Sequence, residues 1–282
     1  MRIAVADLGG HTFHMLCARV GPDGTLVPEL TRRHPLRLAA SVVDGRIPRD
    51  AWTQALAAID DLATTAEMYG FQLFAIGTSV LRDTEDGRAL ARAAGDILGV
   101  PVQLLSGREE AELVFLGARS ALPPPTGPVA VIDLGGGSLE VALGDGRAIA
   151  ATFSLPLGAL RLRSLGADAL AERVRTDGAD TWRAIRAYEP ETIVLTGGSA
   201  RLVARLLGTP NIDSARLGSL ARQLAVLDDE GRLALGVPAA RLDTIGAATS
   251  ILAAILAACG GGRGEVSPRG LREGFVVRAS RR

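Results

Sequence analysis

Short uninterrupted apolar runs that stop at an acid and a glycine turn punctuate this chain, and the clearest of them spans residues 129–140. Val129 to Ile132 has the length of a buried strand, and Asp133, Leu134, Gly135, Gly136, Gly137, Ser138, Leu139 and Glu140 follow. The same order, apolar run, Asp-Leu, Gly-Gly, one residue, hydroxyl, occurs at Ile3 to Thr12 with Asp7, Gly9, Gly10 and His11. Around these turns the pattern predicts strands at 12–20 and 25–38, a helix over 48–69 with Trp52, Leu56, Ile59 and Leu62 as its core stripe, a strand at 71–76, a helix at 86–98 and a strand at 102–105. A helix follows from Ser106 to about residue 122. The second half predicts strands at 139–143 and 148–153, helices at 159–165 and 169–188, a strand ending in Thr196-Gly197-Gly198-Ser199, helices at 200–207, 214–227 and 242–259, and a last strand at 275–278.

Asp133 lies 126 positions after Asp7, far beyond the period of a solenoid, so the chain reads as a duplicated domain. Pro123-Pro124-Pro125-Thr126-Gly127-Pro128 cannot continue a helix and is the linker between the lobes. The expected division is 1–124 and 125–282, with room for the last segment to pack back on the first lobe. Two lobes facing each other would set two Asp-Gly turns across one cleft.

Composition narrows the chemistry. The 282 residues are 48% apolar and 22% charged, ample for two globular cores, and 31 basic against 31 acidic residues leave no global field for nucleic acid or a membrane surface. Every basic side chain other than histidine is Arg. That excludes a P-loop lysine and a Schiff-base lysine, so phosphate contacts must come from Arg and backbone amides. Cys17 and Cys259 lack metal-ligand spacing and read as small core residues. The N-terminus enters a strand at once, and the longest apolar stretch, 245–259, is shorter than a membrane span, so a cytoplasmic protein is expected.

Several residues carry two readings at this level. A glycine turn lets amides converge on an anion while Asp133 holds a metal, yet Asp133 and Ser138 could equally bond within a tight hairpin. Thr78, Ser79 and Arg82 stand at a strand end suited to a ligand, or Arg82 pairs with Asp83 or Glu85. Ser106 with Glu109 forms a capping box, which leaves Glu110 either as a first-turn acid or as a general base. Gly197 and Gly198 at a helix start suit an anion, or serve helix entry alone.

Taken together, the Asp7 turn, 78–82, 106–111, 133–140, 155–159, 196–198 and 267–274 resemble the exopolyphosphatase and guanosine pentaphosphate phosphohydrolase family in the family's order. The resemblance implies an α/β fold of two ribonuclease-H-like lobes, of the actin-like ATPase superfamily, with a cleft between them. It places the catalytic glutamate on Glu110 and metal-site acids on Asp7, Asp133 and Glu140. Phosphate contacts fall on Gly9, Gly10, His11, Arg82, Gly135, Gly136, Gly137, Ser138, Gly197 and Gly198. The implied activity is release of terminal phosphate from polyphosphate or guanosine pentaphosphate with Mg²⁺ or another divalent cation, and a homodimer is compatible with it. Gly10, His11 and Leu139 depart from the family's Ser, Asn and Thr, which keeps a decayed phosphate-chain or alarmone sensor as one alternative; the other is an actin-like kinase or ATPase, which would need an adenosine pocket between the helices of the second lobe.

Overall fold

The computed structural model describes residues 1–122, 127–146, 148–260 and 262–281; four residues of the expected linker, 123–126, lie outside that set. The chain divides into two compact units, Met1–Gly117 with Leu271–Arg282, and Ala118–Gly270.

The first unit begins with β1 (Arg2–Leu8), β2 (Phe13–Val20), β3 (Leu26–His34), α1 (Leu38–Ser41), α2 (Arg49–Met68), β4 (Gln72–Gly77), α3 (Ser79–Asp83), α4 (Gly87–Leu98), β5 (Val102–Leu104) and α5 (Gly107–Arg119). Its sheet runs β3-β2-β1-β4-β5, with β2 antiparallel to β1 and β4 and β5 parallel. The period of two along β1 divides its side chains between the faces. Ala4, Ala6 and Leu8 join Ile59 and Leu62 of α2 and Leu90 and Ala94 of α4 in one core cluster, while Ile3 and Val5 join a second cluster on the other face. Asp7 shares the parity of Ile3 and Val5. Trp52 and Leu56 pack at the margin of the first cluster, and Ile59 and Leu62 are fully buried within it, as the stripe predicts.

The second unit contains β6 (Val129–Leu134), β7 (Leu139–Gly144), β8 (Ile149–Leu155), α6 (Ala167–Asp177), α7 (Ala179–Tyr188), β9 (Thr192–Thr196), α8 (Gly197–Leu207), β10 (Asn211–Asp213), α9 (Ser214–Val226), α10 (Asp229–Ala234), α11 (Ile245–Ala258) and β11 (Arg263–Val266). Strand order is β10-β11-β9-β6-β7-β8. Read from β8 to β11, this repeats the first unit's plan, an antiparallel three-strand meander followed by two parallel strands, with β10 added antiparallel at the edge. Both units are therefore ribonuclease-H-like, and the fold is α/β as expected.

The last element, α12 (Leu271–Ala279), returns to the first unit and corrects the expected strand at 275–278. Phe275, Val276 and Val277 suit a strand by propensity. Tertiary packing overrides it, because a helix lets Phe275 and Val276 bury against Ile3, Val5 and Leu16 on the open face of the first sheet. The expected helix at 159–165 is instead a series of turns, and the short β10 and β11 were not anticipated. Among the described residues no helix is long and apolar enough to cross a membrane. Burial pushes the Cys17 thiol up to about 11, despite the opposing Arg2, consistent with a core residue.

Candidate active site

The expected site residues fall into two groups, one in each unit, and in both they gather around the carboxyl ends of the parallel strands, where α/β folds place ligands, with Glu140 at the adjoining start of antiparallel β7.

In the first unit Asp7 and Leu8 end β1 in register with Ile76 and Gly77 of β4, and Leu105 N–H donates to Gly77 O at 2.9 Å. This aligns the exits of β1, β4 and β5. At the start of α5 the capping box forms as predicted: Ser106 N–H donates to Glu109 Oε2 at 2.8 Å and Glu109 N–H to Ser106 Oγ at 3.2 Å. Glu110 is thereby released from capping, and its side chain turns inward to 5% exposure. Arg82, at the end of α3, meets it: Nη1 donates to Glu110 Oε1 at 2.5 Å and to Leu105 O at 2.6 Å, and Nε to Asp83 Oδ1 at 2.9 Å. Glu85 pairs with Arg46 instead. Burial works against the Arg82 charge, but the bonds to Glu110 and Asp83 outweigh it and raise the guanidinium's pKa. Arg82 thus orients Glu110, a link between positions 28 apart that local pattern does not reveal.

The first turn is tightly packed. Ala39 N–H donates to Gly10 O at 2.7 Å and Arg37 N–H to His11 O at 2.9 Å. His11 is 7% exposed, and Gly9 lies beside Asp7 and Thr78. Asp7 itself is 8% exposed. Arg272 of α12 donates from Nη1 to Asp7 Oδ2 at 3.0 Å, while Asp7 Oδ1 is buried with no hydrogen-bond partner among the described residues. Burial pushes the Asp7 carboxyl above its ordinary range, with Arg272 opposing and Glu273 adding a smaller upward push. By sequence Arg272 stands open between surface charge and anion contact; its carboxylate partner is 265 positions away, and nothing local marks it.

In the second unit Asp133 is directly opposite Glu140 on β7 and in register with Thr196 on β9, so the three side chains share one face. The turn 135–138 is closed by Gly135 N–H donating to Ser138 O at 3.0 Å. It is buttressed from outside, because Ala159 N–H donates to Gly135 O at 3.0 Å, Leu160 N–H to Gly136 O at 2.9 Å and Arg161 Nε to Gly137 O at 2.9 Å. Glu140 is 3% exposed and accepts from Ser154 Oγ at 3.1 Å. Gly197 opens α8 with φ +90°, and a Cβ there would collide with Asp133 Oδ1. Thr196 does not cap α8 with its side chain; its Oγ1 donates to Arg269 O at 2.8 Å, which leaves the helix start to the glycines. Arg161, and Arg241 beside Gly198, escaped sequence reasoning because each reaches the site from a distant element, whereas the 267–269 segment belongs to the 267–274 block of the resemblance, with Arg269 open between surface charge and anion contact.

Among the described residues no three His, Cys, Asp or Glu side chains converge as a metal cage. A two-carboxylate site still fits Mg²⁺, which is usually held by one or two carboxylates together with substrate phosphates and water. Asp133 and Glu140 offer that donor set; Asp7 already carries a guanidinium.

The duplicated ribonuclease-H-like units, each ending its first strand in an acid and a glycine turn, define an actin-like α/β fold. The sequence model of the Ppx/GppA phosphatase family matches residues 25–282. Exopolyphosphatase 1 of Mycobacterium tuberculosis is 31% identical over 305 aligned positions, covering 99% of this chain and 88% of that protein. An uncharacterized protein of Streptomyces coelicolor is 37% identical over 224 positions, covering 74% of this chain and 66% of that protein. The solved structure of an exopolyphosphatase from Cytophaga hutchinsonii superposes with a TM-score of 0.89 at 22% identity, over 99% of this chain and 97% of that one. The chain belongs to the Ppx/GppA phosphatase family, and with it to the phosphoanhydride hydrolases.

Proposed function

We propose that this protein is an exopolyphosphatase that releases terminal orthophosphate from inorganic polyphosphate in the cytoplasm, with guanosine pentaphosphate as the alternative substrate. The observation that carries the reading is Glu110: a buried carboxylate at a helix start, freed from capping duty by Glu109 and aimed by Arg82 at 2.5 Å. In this reading Glu110 takes a proton from water as the water oxygen attacks the terminal phosphorus, and the bond to the bridging oxygen breaks to leave a chain one phosphate shorter. Amides of 135–138 and of the α8 start hold phosphate oxygens. Asp133 and Glu140 would hold Mg²⁺, which supplies positive charge for the oxygens that become more negative as the bond breaks.

The departure at Leu139 does not favour a decayed sensor. Leu139 is fully buried in the hydrophobic core of its unit, in register with Leu134 and Leu155. Its side chain serves packing.

Phosphate release from tripolyphosphate, longer polyphosphate and guanosine pentaphosphate, with and without Mg²⁺, tests the proposal. Glu110→Gln is expected to lower the rate about 10² to 10⁴-fold with binding retained. A Glu110→Gln rate within threefold of the parent would remove Glu110 as the base.

A further inference from the structure

Asp7 and Asp133 occupy equivalent strand ends but meet opposite company. Asp133 faces a second carboxylate, Glu140, directly across its ladder. Asp7 meets a cation: the Arg272 and Asp7 side chains are 13% and 12% exposed and bonded at 3.0 Å. Two adjacent acids suit a divalent cation, whereas an acid already bonded to a guanidinium presents a neutralised pair, and a metal beside it would be repelled by the arginine.

Arg272 is not free to swing away. Phe275 and Val276, one turn on, are buried against the first sheet, and a Cβ on Gly274 would strike the backbone carbonyl of Leu113, so α12 is seated closely on α5. The period of two in β1 points Asp7 to this same face, so the helix meets the carboxylate just before Gly9 and Gly10. Arg272 Nε, like Asp7 Oδ1, is buried with no hydrogen-bond partner among the described residues. Glu273, the next residue, offsets the arginine's influence only weakly at Asp7.

We infer that Arg272 is the charge-balancing residue of the first glycine turn. By occupying Asp7 it converts that strand end from a metal ligand into a site that tolerates a polyanionic phosphate chain. Asp7 in this role positions Arg272 and does not belong to the metal set. The inference rests on the proposed phosphate chemistry of this site, but its test does not require turnover.

Tripolyphosphate binding to the full chain is measured by calorimetry, once with EDTA and once with Mg²⁺, alongside the Mg²⁺ dependence of phosphate release. Affinity is expected to follow the summed charge at the turn. Arg272→Gln weakens binding at least fivefold in both media. Arg272→Lys stays within threefold of the parent, because a single ammonium N–H can replace the single Nη1 bond. The double variant Asp7→Asn with Arg272→Met, which removes both charges, binds more tightly than Arg272→Gln. Asp7→Asn leaves the half-saturating Mg²⁺ concentration within twofold of the parent. Parent-like binding by Arg272→Gln, or a tenfold rise in Mg²⁺ requirement in Asp7→Asn, overturns the inference. Should Arg272→Gln fail to fold, Asp7→Asn is compared with the double variant. At least fivefold tighter binding by Asp7→Asn supports the assignment, and equal affinities refute it. An active Glu110→Gln with tripolyphosphate binding still lost in Arg272→Gln would sink the proposed base and leave this inference standing.

Discussion

Gly197→Ala tests whether the place of Asp133 is functional. Gly197 has φ +90°, a conformation that costs an L residue roughly 1–2 kcal/mol, and the added Cβ would fall inside the Asp133 carboxylate. Relief requires Asp133 to leave its rotamer, which adds about 0.5–1.5 kcal/mol. The sum, roughly 1.5–3.5 kcal/mol, corresponds to a loss of about 3–14 °C in Tm for a domain of this size. Gly208 provides the control: its φ is +67°, yet a Cβ there meets nothing within 4 Å among the described residues. Gly208→Ala therefore carries only the conformational part. Displacing Asp133 should also weaken the proposed Mg²⁺ site, and disturbed ligand support typically costs about 10 to 100-fold in metal affinity or activity. The assay is a pair of melting curves with Mg²⁺ titrations of phosphate release. Equal melting losses in the two variants, with the Gly197→Ala titration overlaying the parent, would refute the argument that Asp133 must lie against a bare Cα.

Two further outcomes follow from the first unit. Bonds from the Ser106 N–H, then from its hydroxyl, hold Glu109 below the ordinary carboxylate range, so its stabilising contribution is present above the ordinary value of 4.5 and lost as pH falls through the depressed folded value. Glu109→Ala should cost about 1 kcal/mol at pH 7 in urea denaturation, and the difference from the parent should shrink progressively below pH 4.5. Gly10→Ser should not improve the first turn despite matching the family's usual residue: a Cβ there would be 2.9 Å from Ala39 Cβ and 3.4 Å from Val80 Cβ, so overpacking of about 1–3 kcal/mol is expected in the same assay.

Local order along the chain determined a good deal of this protein. The acid that ends an apolar run, the glycines after it and the repeat of that order announce two strand ends and two related units, because strand burial and turn formation depend on neighbours within a few positions. The Ser106–Glu109 box is of the same kind, since its partners lie three residues apart. What tertiary structure alone decided are the choices between two local readings. Arg82 could pair at the surface or face inward, and only the approach of α5 to the end of α3 brings Glu110 within 2.5 Å of it. Phe275 to Val277 reads as a strand until the open face of the first sheet offers a helix its apolar partners. Asp7 looks like the twin of Asp133 by sequence, yet one faces a carboxylate and the other an arginine from the far end of the chain. Such contacts are set by which faces a twisted sheet leaves uncovered and which distant element covers them, and no window along the sequence holds both partners.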